Sequence, residues 1–189
     1  MSKTPSSMLP LGTQAPDFSL VDVVSGKITS LNKDSNQMAT VIMFICNHCP
    51  YVKHVQPELS HLANDYINKN IRFIAINAND TEQYPDDSPE NMKIAALEQH
   101  YPFSYLFDET QEVAKAYQAK CTPDFFVFDK NLKLVYRGQL DESRPGNNIK
   151  VNGNSIRIAL DCLLANKPVP SEQKPSIGCN IKWKMNESS

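Results

Sequence analysis

Cys46 and Cys49 are separated by Asn47 and His48 and followed at once by Pro50. Two thiols with a two-residue spacer can close a disulfide. The residue types suit the chemistry of sulfur as a nucleophile. Proline is favoured in the first turn of a helix, where its missing N–H would have no partner, which places Cys49 at or beside an N-cap. A sulfur there faces unpaired amides and the positive end of the helix dipole, so thiolate is favoured over thiol. Cys49 is therefore expected to be reactive near neutral pH. Cys46 reads either as the thiol that resolves a Cys49 mixed disulfide or as a small apolar residue at the end of a strand. His48 either favours the thiolate when protonated or lines the entrance. Cys46, His48 and Cys49, with Cys121, also offer soft ligands for copper(I) or zinc, although three ligands within four residues make a cramped set.

The elements on either side of this turn are legible from their periodicity. Ala39–Cys46 contains Val41, Ile42, Met43, Phe44 and Ile45 in succession, the pattern of a strand buried on both faces. From Val52 onward the apolar residues Val55, Leu59, Leu62, Ala63, Tyr66 and Ile67 recur at helical spacing and make one apolar stripe. Ile71–Ile76 is a second buried strand, so the cysteines lie in the first turn of a strand–helix–strand unit. Phe18–Val23 and Ile28–Leu31 suggest an N-terminal hairpin around Ser25-Gly26. Ser88-Pro89-Glu90 starts a helix running to about His100. A short strand near Phe103–Phe107 and a helix near Glu112–Tyr117 follow. Asp124–Asp129 and Leu132–Arg137 form a hairpin, Asp141–Gly153 a long polar loop, and Ser155–Ala165 a last amphipathic helix carrying Cys162 on its apolar side. These elements make a mixed-sheet α/β domain. Its expected limits are residues 11–166, with a flexible arm at 1–10 and a proline-containing tail at 167–189.

Composition narrows the function classes. Nineteen basic and twenty-one acidic residues give a formal charge of −2 with no long run of one sign, which argues against a nucleic-acid or anionic-membrane footprint. No stretch approaches the length of a membrane span and the N-terminus lacks an apolar leader core, so the expected location is the cytoplasm. Five cysteines is an odd number, so at least one stays unpaired in a monomer. In a reducing compartment a close pair is more often catalytic or metal-binding than structural. His54 and His61, with Glu58 and Asp65 four residues after them, read as a solvated helix face. Tyr51 and Trp183 could shape a groove.

Gly12-Thr13-Gln14-Ala15-Pro16-Asp17-Phe18, the strand leading into Cys-x-x-Cys, Pro57 within the next helix, and Cys121-Thr122-Pro123 before a hydrophobic hairpin come in an order that resembles the thioredoxin fold. More narrowly, the chain resembles the alkyl hydroperoxide reductase/thiol-specific antioxidant branch, over roughly Leu11 to Leu164. The resemblance implies a central mixed sheet flanked by helices and a cis-proline at Pro123, with Thr122 and Pro123 facing the active cysteine. In these proteins the helix proline lies eight residues after the nucleophile, which selects Cys49 and puts Val52 at the usual resolving position. Ile42 replaces the proline of the peroxidase motif, and Met43 replaces thioredoxin's buried aspartate. The resemblance also brings Cys121 toward Cys49, allows Cys179 to fold back as a distant resolving thiol, and puts Arg144 near the peroxidase arginine.

The expected activity is thiol–disulfide exchange, with Cys49 as nucleophile, Cys46 as resolving thiol, and Thr122-Pro123 presenting backbone to the incoming chain. Peroxide reduction through a Cys49 sulfenic acid is the alternative, copper or zinc binding is a second, and a non-catalytic adaptor is a third. No cofactor is expected. The expected partners are a protein or small-molecule disulfide or peroxide and a recycling thiol reductant.

Overall fold

In the computed structural model, which describes residues 3–32 and 36–185, the apolar run becomes the centre of the molecule. Strand β4 (Ala39–Phe44) is completely buried. It pairs in parallel with β5 (Ile71–Asn77) on one side and antiparallel with β8 (Asp124–Asp129) on the other. β2 (Ser19–Asp22), β3 (Ile28–Ser30), β6 (Ser104–Phe107) and β9 (Leu134–Gly138) complete a seven-stranded mixed sheet in the order β3-β2-β6-β5-β4-β8-β9. The expected N-terminal hairpin is the β2–β3 edge.

Alternation along β4 explains why the run is apolar throughout. Val41 and Met43 point into one core with Leu59 and Leu62 of helix α1 (Pro50–Tyr66) and Ile156 and Leu160 of helix α4 (Asn154–Leu164). Ile42 and Phe44 point into a second core with Tyr117, Phe126 and Phe128. Helix α2 (Pro89–Glu98) adds Met92 and Ala96 to the first core, and its Ser88 hydroxyl accepts from the Asn91 amide as expected of a cap. The short helix α3 (Glu112–Ala116) covers the second core with Ala114. At ~25 cal/mol per Å² of apolar surface, these layers supply most of the gain on folding.

A second, three-stranded sheet stands at the end of the molecule where the cysteines lie. It joins β1 (Lys3–Pro5), β10 (Ile177–Asn180) and the two-residue β7 (Cys121–Thr122), in the order β1-β10-β7. This corrects the flexible arm expected over 1–10: Lys3–Pro5 is a strand, held by antiparallel pairing with Cys179, Gly178 and Ile177. The order comes from a partner more than 170 residues away, which local periodicity cannot report. Met1, Ser2 and residues 186–189 lie outside the described residues.

Candidate active site

Phe44 ends the strand, and the Ile45 amide still reaches the Ile76 carbonyl before the chain turns through Cys46, Asn47 and His48 into α1. Cys49 is the N-cap with extended backbone, and Pro50 is the first helical residue. The sequence had indicated both. Opposite, the Thr122-Pro123 peptide bond is cis, as the resemblance implied, and Thr122 faces the cysteines.

The Cys49 sulfur lies 2.8 Å from the Cys179 sulfur and 3.2 Å from the Thr122 carbonyl oxygen. The Cys46 sulfur lies 3.2 Å from Thr122 Oγ1. Cys49 has no solvent exposure, and Cys46 and Cys179 have almost none. The sulfurs are thus gathered under the tail.

The hydrogen bond from the Cys46 thiol is the strongest influence on Cys49. Burial opposes it, but Cys179 and the amides of Val52 and Cys179 reinforce it, and the Cys49 thiol is brought down to about 5. Cys46 moves the other way: donating to Cys49 first, then burial and the nearby Asp87 charge, push its thiol well up. Burial, followed by the bond to Cys49, pushes Cys179 up to about 12. The site therefore holds one acidic thiol between two proton-bearing ones. Val52 belongs to the first turn of α1, so the helix start contributes as expected from sequence, but the neighbouring thiol does more.

Asp87 completes one side of the site, and no local pattern in the sequence points to it. It sits at the end of a 3-10 turn before α2 and is fully buried. Its carboxylate accepts from the Asn47 amide at 2.6 Å, Asn77 Nδ2 at 3.2 Å, Asn79 Nδ2 at 2.8 Å and His48 Nδ1 at 2.5 Å. Burial disfavours its charge, but these donors outweigh burial and hold the carboxyl below its ordinary value. His48 also stacks on Tyr84, with ring centroids 5.4 Å apart.

The remaining sequence candidates separate cleanly. Cys121 is buried, its sulfur directed at the Pro123 carbonyl, and burial pushes its thiol far up, as expected of an inert core thiol. Cys162 is half-buried on α4. Arg144 donates to the Asp141 and Ser143 carbonyls and to Gln139, pinning its own loop. His54 meets the Ser143 hydroxyl, and His61 lies on the exposed face with Glu58 nearby. Trp183 is exposed at the far end of the tail. Cys46, His48 and Asp87 present donor atoms within 4.8 Å of one another, the one such group among the described residues. It differs from the set read from sequence, because Cys49 and Cys121 are outside it and Asp87 is inside.

The sequence model of the AhpC/TSA family matches residues 11–137, which include Cys46, Cys49 and the cis-proline. The chain belongs to the AhpC/TSA family. Among solved structures, an uncharacterized conserved protein from Geobacillus kaustophilus is 63% identical, with a TM-score of 0.96 over 100% of this chain and 99% of that one. A hypothetical protein from Sinorhizobium meliloti is 42% identical, with a TM-score of 0.94 over 97% and 100%. The thioredoxin domain of a thiol-disulfide oxidoreductase from Bacteroides vulgatus shares the fold at 20% identity, with a TM-score of 0.61 over 79% and 96%. Searching the curated proteins gave no match. The AhpC/TSA match stops before β10, so Cys179 is outside the segment that defines the family, whereas the Geobacillus likeness runs through it. Among the described residues no helix is long and apolar enough to cross a membrane.

Proposed function

We propose that this AhpC/TSA protein is a thiol–disulfide oxidoreductase in which Cys49 is the nucleophile. The observation that carries the reading is one acidic sulfur at a helix start, in contact with a second thiol and opposite a cis-proline. The Cys49 thiolate attacks a substrate disulfide, bonds to one sulfur and releases the other as thiolate. Cys179 then loses its proton, attacks the Cys49 sulfur and frees the bound half as a thiol. Contact with Cys49 favours Cys179 for this step over Cys46, to which we assign the hydrogen bond that keeps Cys49 ionised. A dithiol reductant returns the Cys49–Cys179 disulfide to two thiols. We place the cycle in the cytoplasm, where such a reductant keeps the pair reduced.

The complete burial of Cys49 favours a second reading, reduction of a small peroxide that enters where a protein cannot. The thiolate would take one peroxide oxygen to become sulfenic acid, releasing the alcohol or water, and Cys179 would condense with it, expelling water. Reduced protein mixed separately with stoichiometric hydrogen peroxide and with a disulfide substrate distinguishes the two. Rapid loss of Cys49 thiol to the disulfide and slow loss to peroxide is the expected result. Fast peroxide consumption without exchange would replace the first reading by the second.

A further inference from the structure

One buried acid, Asp124, has no part in the cycle above. It follows Pro123 at the start of β8, opposite Phe44 of β4, and has no solvent exposure. Neither of its carboxyl oxygens has a hydrogen-bond partner, and among the described residues it enters no ion pair. Asp87 is equally buried but is held by four donors, so the two acids are opposite cases. The one side chain that favours an Asp124 charge is Ser6, just beyond β1. Its hydroxyl is already engaged: it donates to the Ser176 carbonyl at 3.3 Å and accepts from the Ser176 amide at 2.6 Å. The Ser6 amide reaches the same carbonyl at 2.9 Å, and the Ser176 hydroxyl donates to the Pro123 carbonyl at 2.5 Å. The strands β1 and β10 are thus clasped to each other, and to the start of β8, within one residue of Asp124.

A carboxylate in this place loses its hydration with nothing to replace it, whereas a neutral carboxyl loses far less. Burial accordingly pushes the Asp124 carboxyl well above its ordinary value of 3.8. The titratable groups that act on it are Cys121 of β7 and Tyr136 of β9, and burial keeps both in their neutral forms. The arm presents Ser6, the tail Ser176 and β4 Phe44, so none of these neighbours offsets a negative charge. We propose that Asp124 is the acid of a pH-sensitive latch: while it carries its proton, the clasp of Ser6 and Ser176 closes the small sheet over the cysteines, and when it ionises the sheet lifts and exposes Cys49. Lifting hydrates the carboxylate. The same movement draws Cys179 away from Cys49, because β10 carries it. Linkage fixes the sign. In the lifted form the carboxyl has its ordinary acidity, and in the seated form it keeps its proton to higher pH. Between the two values the lifted form binds fewer protons, so the seated form loses stability as the pH rises, and the opening constant grows by up to about tenfold per pH unit.

Native-state hydrogen exchange on the full reduced chain tests this between about pH 5 and pH 8, with each rate divided by the intrinsic rate at that pH. The opening constant of the segment 176–181 should rise with pH, approaching about tenfold per unit, while Asp124→Asn, which keeps the shape and cannot ionise, should give a flat profile. The same slope in both proteins, or no slope in either, would overturn the latch. A slope that Asp124→Asn removes from β4 but not from the segment 176–181 would also overturn it, since the acid would then report global unfolding alone. A second measurement needs no variant. Cys49, brought down to about 5, is fully ionised above pH 7, so any further rise in its alkylation by iodoacetamide, read by peptide mass, reports access. The alkylation rate should climb in parallel with the opening constant, and a constant rate would count against the latch. The hydrogen-exchange result does not depend on Cys49 reactivity, so failure of the latch and failure of the oxidoreductase reading are distinguishable.

Discussion

Cys49 lies between two walls built on opposite physical terms. On one side the Cys46–His48 turn is tied to Asp87, whose carboxylate is held by four donors from Asn47, His48, Asn77 and Asn79. On the other side is β10, a four-residue strand in a sheet of three. A buried carboxylate with this many partners cannot move without leaving a charge unpaired, so the first wall is fixed. The second is held by backbone pairing and by the hydrogen bonds of Ser176 and Lys182 at its ends, contacts that can open locally at lower cost than the core. The difference separates two requirements. The fixed wall sets the acidity of Cys49 through Cys46, and the strand sets access to it. One residue joins them: Asn79 donates to Asp87 and accepts from the Lys182 amide just beyond β10.

Five substitutions break or sharpen this contrast. Cys49→Ser removes the sulfur both walls surround, and turnover of a small disulfide should fall by roughly a thousandfold or more, measured by thiol release. Cys179→Ser alters only the strand. It should leave the first attack in place and trap the mixed disulfide, visible by intact mass after addition of glutathione disulfide. A trap produced by Cys46→Ser instead would assign resolution to the fixed wall. Asp87→Asn alters only that wall, and the loss of stability should be about 1–3 kcal/mol by denaturant unfolding at neutral pH. The pH dependence has a definite sign. The folded carboxyl is more acidic than its ordinary value of 3.8, so the unfolded state binds more protons in the window below it. Its contribution is complete above pH 3.8 and disappears as the pH falls through the folded value; the Asn variant should lack this slope. Smallest in energy is Cys46→Ala, which should raise the Cys49 pKa by about one unit or more, or about 1.4 kcal/mol, with Cys46→Ser in between because a hydroxyl can still donate.

The sequence carried the part of this arrangement that depends on neighbours along the chain. The unbroken run of β4, the stripe of α1 and Pro50 after Cys49 place that cysteine at the start of α1, and each reflects a local rule of burial or capping. Pro123 was placed by resemblance, and its peptide bond is cis. The Asp87 network and the Cys179 contact join residues 40 and 130 positions apart, and neither segment shows a period. Asp87 in particular sits in a polar, proline-broken stretch that reads as a loop, where one more acidic residue attracts no notice. For the acidity of Cys49 the sequence offers one of two influences. It invoked the helix end, whereas a second thiol is the stronger influence, and such a hydrogen bond depends on geometry that spacing alone does not fix.

The account turns on the ionisation of Cys49, and thiolate absorbance near 240 nm reports it directly. Reduced protein and its Cys49→Ser variant are titrated in parallel, and the difference isolates this sulfur. A midpoint at about 5 is the predicted result. A midpoint near the ordinary thiol value of 9.0 would show that neither Cys46 nor the start of α1 holds the anion, and the nucleophile would have to be sought elsewhere.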